Sequence, residues 1–195
     1  MFEKPFSQSC ENNKQPILAA LTGLLADSHY LFEIGSGTGQ HASHFAPKLA
    51  HLTWQTSDMP DKHKGINAWI DDSGASNIRP PKHFTVGLDA WPADKVDAVY
   101  TANTTHIMPA QEAQLMMELV GEHLPTGGIF CQYGPFNSQG QYSSASNQSF
   151  DLHLIEQGCG GIRDIQELQS WTQQLTLTQQ LKMPANNMLL VWQKY

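Results

Sequence analysis

The chain has few charges, few cysteines and no long apolar run, and each shortage excludes something. Lysine and arginine total 11 of 195 residues, do not cluster, and leave a net charge of −7. A duplex-binding domain needs a basic face, because phosphate neutralisation dominates that affinity, so no nucleic-acid partner is expected. The three cysteines, Cys10, Cys131 and Cys159, lie far apart and form no CxxC. An odd, scattered count fits neither a disulfide framework nor a zinc ribbon, and it suits a reducing, cytoplasmic setting. No stretch is long and apolar enough to predict a membrane helix, and the polar start MFEKPFSQSCENNK lacks the apolar segment of a signal peptide. His41, His44 and His51 come close together, but no HExxH or comparable pattern supplies further ligands, so no metal is expected.

What remains is a globular chain, 40% hydrophobic, whose patterns alternate between strand and helix. Ile17, Leu21, Leu24 and Leu25 share a face, predicting a helix from Pro16 to Ala26 with Pro16 in its first turn. YLFEI, Tyr30 to Ile34, reads as a buried strand, and a helix is predicted over Thr38–Ala46. LTWQTSD predicts a second strand ending at Asp58, and DKHKGINAWIDDSG a weaker helix. HFTVGLD predicts a third strand ending near Asp89, and VDAVYTAN a fourth, Val96–Asn103. A helix opened by Pro109 carries the stripe Ala113, Met116, Met117, Val120 and Leu124, which is core packing. IFCQY, Ile129–Tyr133, is a fifth strand. The polar run GPFNSQGQYSSASNQS is long for a connection and is a candidate lid or substrate loop. Helices are predicted over Phe150–Gln157 and Asp164–Gln174. The chain closes with LTLTQQLKM, PANN and MLLVWQK, two strands that must pair antiparallel across so short a turn. Together these predict a single α/β domain over residues 1–195 with a helical extension over 1–27. Its expected architecture is a Rossmann-like, seven-stranded, mostly parallel sheet with a C-terminal antiparallel hairpin and helices on both faces.

The stretch FEIGSGTGQ carries the chemistry. Gly35, Gly37 and Gly39 follow the first strand, where open α/β sheets bind ligands. Glycine permits close approach to bare backbone. The spacing G-S-G-T-G is not the G-x-G-x-x-G of dinucleotide binders, and no Walker lysine follows, so the turn suits a ligand that carries no phosphate. A nicotinamide-dependent oxidoreductase is therefore the weaker alternative. Asp58 falls 23 residues after Gly35, close to the roughly 20 expected of an acid that binds ribose.

These residues resemble the first motif of class I S-adenosylmethionine-dependent methyltransferases, apolar-x-Glu-x-Gly-x-Gly-x-Gly, with Glu33, Gly35, Gly37 and Gly39 in register. ENNKQPIL, GSGTGQHASHFA, WQTSD, NTTHI, YGPF and MPANN together resemble the methyltransferase-like protein 26 family (domain of unknown function 938) across residues 9–195. The resemblance implies a methyltransferase fold and S-adenosylmethionine as cofactor. It implies that Glu33, Gly35, Ser36, Gly37 and Gly39 line the cofactor loop and that Asp58 holds the ribose. It places Asp89 and Ala90 near the adenine, and Asn103 beside the methionine moiety and the acceptor. His106 and Tyr133, at the ends of central strands, are the candidate catalytic residues. Asp61, Asp71, Asp72 and Asp94 read as solvated or capping residues, and Asn186 and Asn187 as a hairpin turn. Asn103 is followed by Thr-Thr-His, not Pro-Pro-aromatic, which gives a nucleobase acceptor no support. The expected activity is methyl transfer to a small-molecule or peptide acceptor. The alternative is a catalytically idle cofactor-binding or scaffold protein on the same fold.

Overall fold

A computed structural model describes residues 3–93 and 95–195; Asp94, read above as a solvated or capping residue, lies outside them. Seven strands form one sheet in the order β3-β2-β1-β4-β5-β7-β6, with β1 Tyr30–Ile34, β2 Thr53–Asp58, β3 Ile78–His83, β4 Ala98–Ala102, β5 Ile129–Gly134, β6 Leu175–Met183 and β7 Asn187–Lys194. The pairs β1–β2 and β2–β3 are parallel, and β7 runs antiparallel to both β5 and β6. The chain steps outward from β1 to β3 and resumes at β4 on the other side of β1, so strand order reverses beside β1. The described residues group into two compact units, one ending at Tyr100 and one starting at Thr101.

In the first unit, helix α1 spans Gln8–Leu24 and begins eight residues earlier than Pro16 suggests. Ser7 caps it by accepting from the Cys10 amide at 3.3 Å. Pro16 therefore sits inside the helix, not in its first turn. Its ring removes one hydrogen bond, from the carbonyl of Asn12, an exposed residue. The polar ENNK run hid this start from an apolar-periodicity reading. Ile17, Leu18 and Leu21 form the buried face. Helix α2, Gln40–Phe45, runs into a short 3-10 turn, and α3, Pro60–Ser73, is a full helix closed by Gly74. Phe45, Trp54 and Tyr100 pack ring against ring at 5.7–5.9 Å between centroids.

The third strand departs from the expected place. It is Ile78–His83, IRPPKH, and of HFTVGLD only His83 is strand; FTVGLD forms a turn with Leu88 and Asp89 both donating to the Thr85 carbonyl. Two prolines argue against a strand by pattern, but β3 is an edge strand whose outer side needs no donors. Phe84 and Val86 alternate and are buried, which mimics a strand.

In the second unit, α4 covers Ala110–His123 with Pro109 as its cap, one place outside the helix. Its stripe Ala113, Met116, Met117, Val120 and Leu124 is buried, as the spacing predicts. Helix α5 spans Ala145–Glu156, five residues earlier than its apolar residues suggest. Ser144 caps it, and its buried face is mostly polar, Asn147 and Asp151 beside Leu154. Helix α6 is the short Ile165–Ser170, capped by Asp164. Trp192 donates to Gln132 at 3.0 Å and Gln132 to Thr105 at 2.8 Å, satisfying polar groups in the interior. Cys131 is fully buried and its thiol is pushed up to about 12, so it is inert. The hairpin turn holds Ala185 and Asn186 at positive φ, and the Asn186 carbonyl accepts from Asn147. No helix among the described residues is long and apolar enough to cross a membrane.

Candidate functional site

The first unit holds the glycine loop and Asp58 together. Gly35, Gly37 and Gly39 have φ of 70°, 60° and 90°. The turn is tied to β2: Ser36 donates its amide to the Ser57 carbonyl at 2.8 Å, and Gly39 donates to Ser36 at 2.9 Å. Two of these glycines serve different ends. A Cβ on Gly39 would lie 2.9 Å from the Ile66 Cα, so Gly39 is bare because α3 crosses there. A Cβ on Gly37 would meet nothing within 4 Å, and the residue is exposed. Gly37 is thus the point where outside chemistry can approach peptide.

Asp58, at the end of β2, faces that point. One carboxylate oxygen accepts from the Gly37 amide at 2.7 Å and the other from the Met59 amide at 2.8 Å. Burial raises its pKa, and these two amides work against the rise. Each oxygen keeps a further lone pair, so the group can still accept two hydroxyls.

Beneath the loop lies Glu33, 2% exposed. Its Oε2 accepts from Ser36 Oγ at 2.8 Å and from Trp54 Nε1 at 3.0 Å. Ser36 Oγ in turn accepts from the Ser57 amide at 3.1 Å, and Ser57 Oγ donates to the Glu33 carbonyl at 2.6 Å. Desolvation pushes the Glu33 carboxyl up to about 7 against the pull of Trp54 and Ser36, with Asp58 adding to the rise. Glu33 therefore acts from below, holding the turn in shape. Trp54 and Ser57 entered the sequence reading only as part of the WQTSD stretch, which is buried on both faces and gives no sign that they reach Glu33.

Asp89 lies six residues beyond β3, not at its end. Its carboxylate accepts from the Thr85 amide at 2.8 Å and lies 3.4 Å from His83 Nε2. Ala90 beside it is exposed. The neighbouring Trp91 packs edge-on against Phe32 at 4.9 Å. The three histidines that follow the glycine loop have other partners: His41 and His44 of α2 bond Asn13 at 2.7 Å and Gln15 at 3.2 Å, and His51, just before β2, bonds the Leu25 carbonyl at 2.9 Å. Burial takes His41 down to about 4.

The second unit brings the Asn103 and His106 side chains to Gly134, and Tyr133 meets Asn103 through its backbone carbonyl. Asn103 adopts φ 58°, a strained position for a non-glycine residue, and donates its amide to the Tyr133 carbonyl at 2.9 Å. The His106 and Asn103 side chains both border Gly134, where a Cβ would lie in ordinary contact at 3.8 Å from His106 Nδ1 and 3.9 Å from Asn103 Oδ1. His106 is 5% exposed and meets Phe150 edge-on at 5.6 Å. Burial takes it down to about 4, only partly opposed by Asp151, so the ring is neutral at physiological pH. The segment behind it is packed tightly: Gly161 donates to the His106 carbonyl at 3.0 Å and Gly160 to Ile107 at 3.2 Å. Tyr133 is buried within β5.

A family model described as "Protein of unknown function (DUF938)" matches residues 4–194. Solved structures share the fold. An O-methyltransferase family protein from Burkholderia thailandensis superposes with a TM-score of 0.80 at 17% identity, over 93% of this chain and 56% of that one. Human N-acetylserotonin methyltransferase, in complex with SAM, gives 0.81 at 16% identity, over 96% and 53%. An O-methyltransferase family 2 protein from Planctomyces limnophilus, in complex with apigenin, gives 0.82 at 15% identity, over 96% and 58%. The chain thus spans little more than half the length of each.

Proposed function

This chain belongs to the DUF938 family, and we propose that it is an S-adenosylmethionine-dependent methyltransferase acting on a small-molecule or peptide acceptor. The observation that carries the reading is the pairing of open Gly37 with Asp58 at the reversal of strand order. The residues fit the cofactor. Bare peptide at Gly37 accepts close approach, Asp58 has lone pairs for two ribose hydroxyls, and the loop offers no pyrophosphate cradle. A methyltransferase fold found with SAM in the human relative supports the same choice.

The cofactor supplies an electrophilic methyl group on a sulfonium. The chain's residues bind, align and exclude water. Asp58 orients the nucleoside through charge-assisted hydrogen bonds, each worth about 1.5–3 kcal/mol. Glu33, through Ser36, keeps the loop in its binding shape. In the second unit, neutral His106 presents a lone pair to a donor on the acceptor. Its depressed basicity suits orienting that group better than removing a proton from a weak acid. Asn103, held in a strained conformation beside it, is a second polar contact for the acceptor.

Asp58→Ala is expected to weaken binding of S-adenosylhomocysteine by roughly ten- to a hundredfold. Calorimetry on the folded variant checks this, with NAD as the control that should give no heat in either protein. Unchanged affinity would remove Asp58 from the site, and uptake of NAD alone would favour an oxidoreductase. Binding of the cofactor without turnover across an acceptor panel would support the idle-binder alternative.

A further inference from the structure

The chain ahead of α1 folds back onto the two helices that follow the glycine loop. Pro5 seats on α3 where Gly65 leaves space; a Cβ there would lie 2.5 Å from Pro5 Cγ. Trp69 of α3 donates its ring N–H to the Pro5 carbonyl at 2.7 Å. Lys4 stands 4.0 Å from the centre of the Trp69 ring and pairs with Asp72. At the other end of this strap, Gln40 grips residue 7 with both arms of its amide. Its Oε1 accepts from the Ser7 amide at 2.6 Å, and its Nε2 donates to the Ser7 carbonyl at 3.3 Å and to Glu11 at 2.9 Å.

Gln40 is also part of the loop. It follows Gly39 directly, is 2% exposed, and its Oε1 accepts from the Thr38 hydroxyl at 3.0 Å. Thr38 stands between the glycine that is open and the glycine that is packed. Gln40 therefore joins the strap to the turn, and the Cys10 side chain reaches Thr38 beside it. Toward its start, the strap is held by the Pro5 seat, the Trp69 bond and the Lys4–Asp72 pair. Phe6 is 61% exposed. A cavity of about 290 Å³ remains nearby, lined by Lys4, Lys14, Gln40, Ser43, His44 and Trp69. A segment at the start of a helix, held by such contacts, can open locally while the rest of the fold stays formed.

We infer that Gln40 is a positioning residue that latches residues 4–11 onto the glycine loop, so that strap docking and cofactor binding reinforce each other. The inference rests on the cofactor reading above. A docked strap removes freedom from Thr38 and so from the peptide between Gly37 and Gly39. A ligand meeting a loop already ordered loses less entropy on binding. Linkage makes the effect reciprocal: the ligand must tighten the strap by the factor the strap lends the ligand.

The test is hydrogen exchange over residues 4–12 with and without S-adenosylhomocysteine, beside calorimetric titration of the intact chain, Gln40→Ala and Trp69→Phe. The ligand is expected to slow strap exchange several-fold in the intact chain. Gln40→Ala is expected to bind about tenfold more weakly, as for coupled sites. Trp69→Phe keeps an aromatic side chain and the Cβ that faces Gly39, and loses the bond to Pro5; it should bind about threefold more weakly. Should Gln40→Ala fail to fold, Trp69→Phe carries the measurement. A strap with only a structural role would lower melting temperature and leave affinity alone. Unchanged strap exchange on ligand binding, or wild-type affinity in Trp69→Phe, overturns the latch and leaves the cofactor reading standing. No uptake by the intact chain overturns both.

Discussion

Glu33→Gln will stabilise the folded chain progressively as pH rises, by about 3 kcal/mol at about pH 8 relative to about pH 4.5. The carboxyl moves from 4.5 to about 7 on folding, chiefly through burial. Below 4.5 it is protonated in both states and costs nothing. Between 4.5 and about 7 the unfolded chain ionises while the folded one keeps its proton, so stability falls with each pH unit. Above that range both states are ionised and the loss is complete. Glutamine does not titrate, and its carbonyl oxygen can take the place of Oε2, which receives both Ser36 and Trp54. His41 and His106 slope the other way: both are held near 4 by burial, so their contribution is lost as pH falls from 6.5 toward 4. The difference between wild type and variant cancels them. Urea midpoints and slopes measured for both proteins across this pH range give that difference. A gap that stays flat with pH would mean Glu33 is ionised and compensated throughout, and the loop would need another support.

Gly39→Ala should cost about 3 kcal/mol or more of stability, because two penalties coincide. Its φ of 90° disfavours any side chain, and the new Cβ would come 2.9 Å from the Ile66 Cα and 3.2 Å from the Ile66 carbonyl. Those neighbours are helix backbone in α3 and have no rotamer by which to yield. Gly37→Ala is the control. It meets only the strain of a φ of 60°, about 1 kcal/mol, since nothing lies within 4 Å. The same substitution two residues apart should therefore separate the two uses of glycine. At position 39 the fold suffers; at position 37 the fold holds and ligand uptake suffers. Denaturation midpoints read the first and calorimetry the second. Equal stability losses at the two positions would contradict the division.

The glycine turn, the buried first strand and the methionine stripe of α4 were legible because each is set by local pattern. The place of Asp58 at the end of β2 was legible too, since a strand-ending acid at that separation from a glycine turn is a spacing signal. The third strand was not. IRPPKH works as a strand only because it lies at a sheet edge, and edge position is a property of topology. The start of α1 was hidden for a related reason: its first turns are held by the Ser7 cap and by Gln40, not by apolar periodicity. Helix α5 was placed too late because it buries Asn147 and Asp151 and exposes Phe150, Leu152 and Ile155. Glu33 was recognised as part of a motif, but its role as a buried carboxyl needs Trp54, 21 residues away in sequence. Gln40 passed as one more residue of a helix start; only the fold-back of the chain ahead of α1 gives its amide two jobs.

A crystal structure of the chain with S-adenosylhomocysteine tests the central claim most directly. The account predicts the nucleoside against the peptide at Gly37, with both ribose hydroxyls on the Asp58 carboxylate. Density for the ligand at another place, or ribose hydroxyls turned away from Asp58, would contradict it.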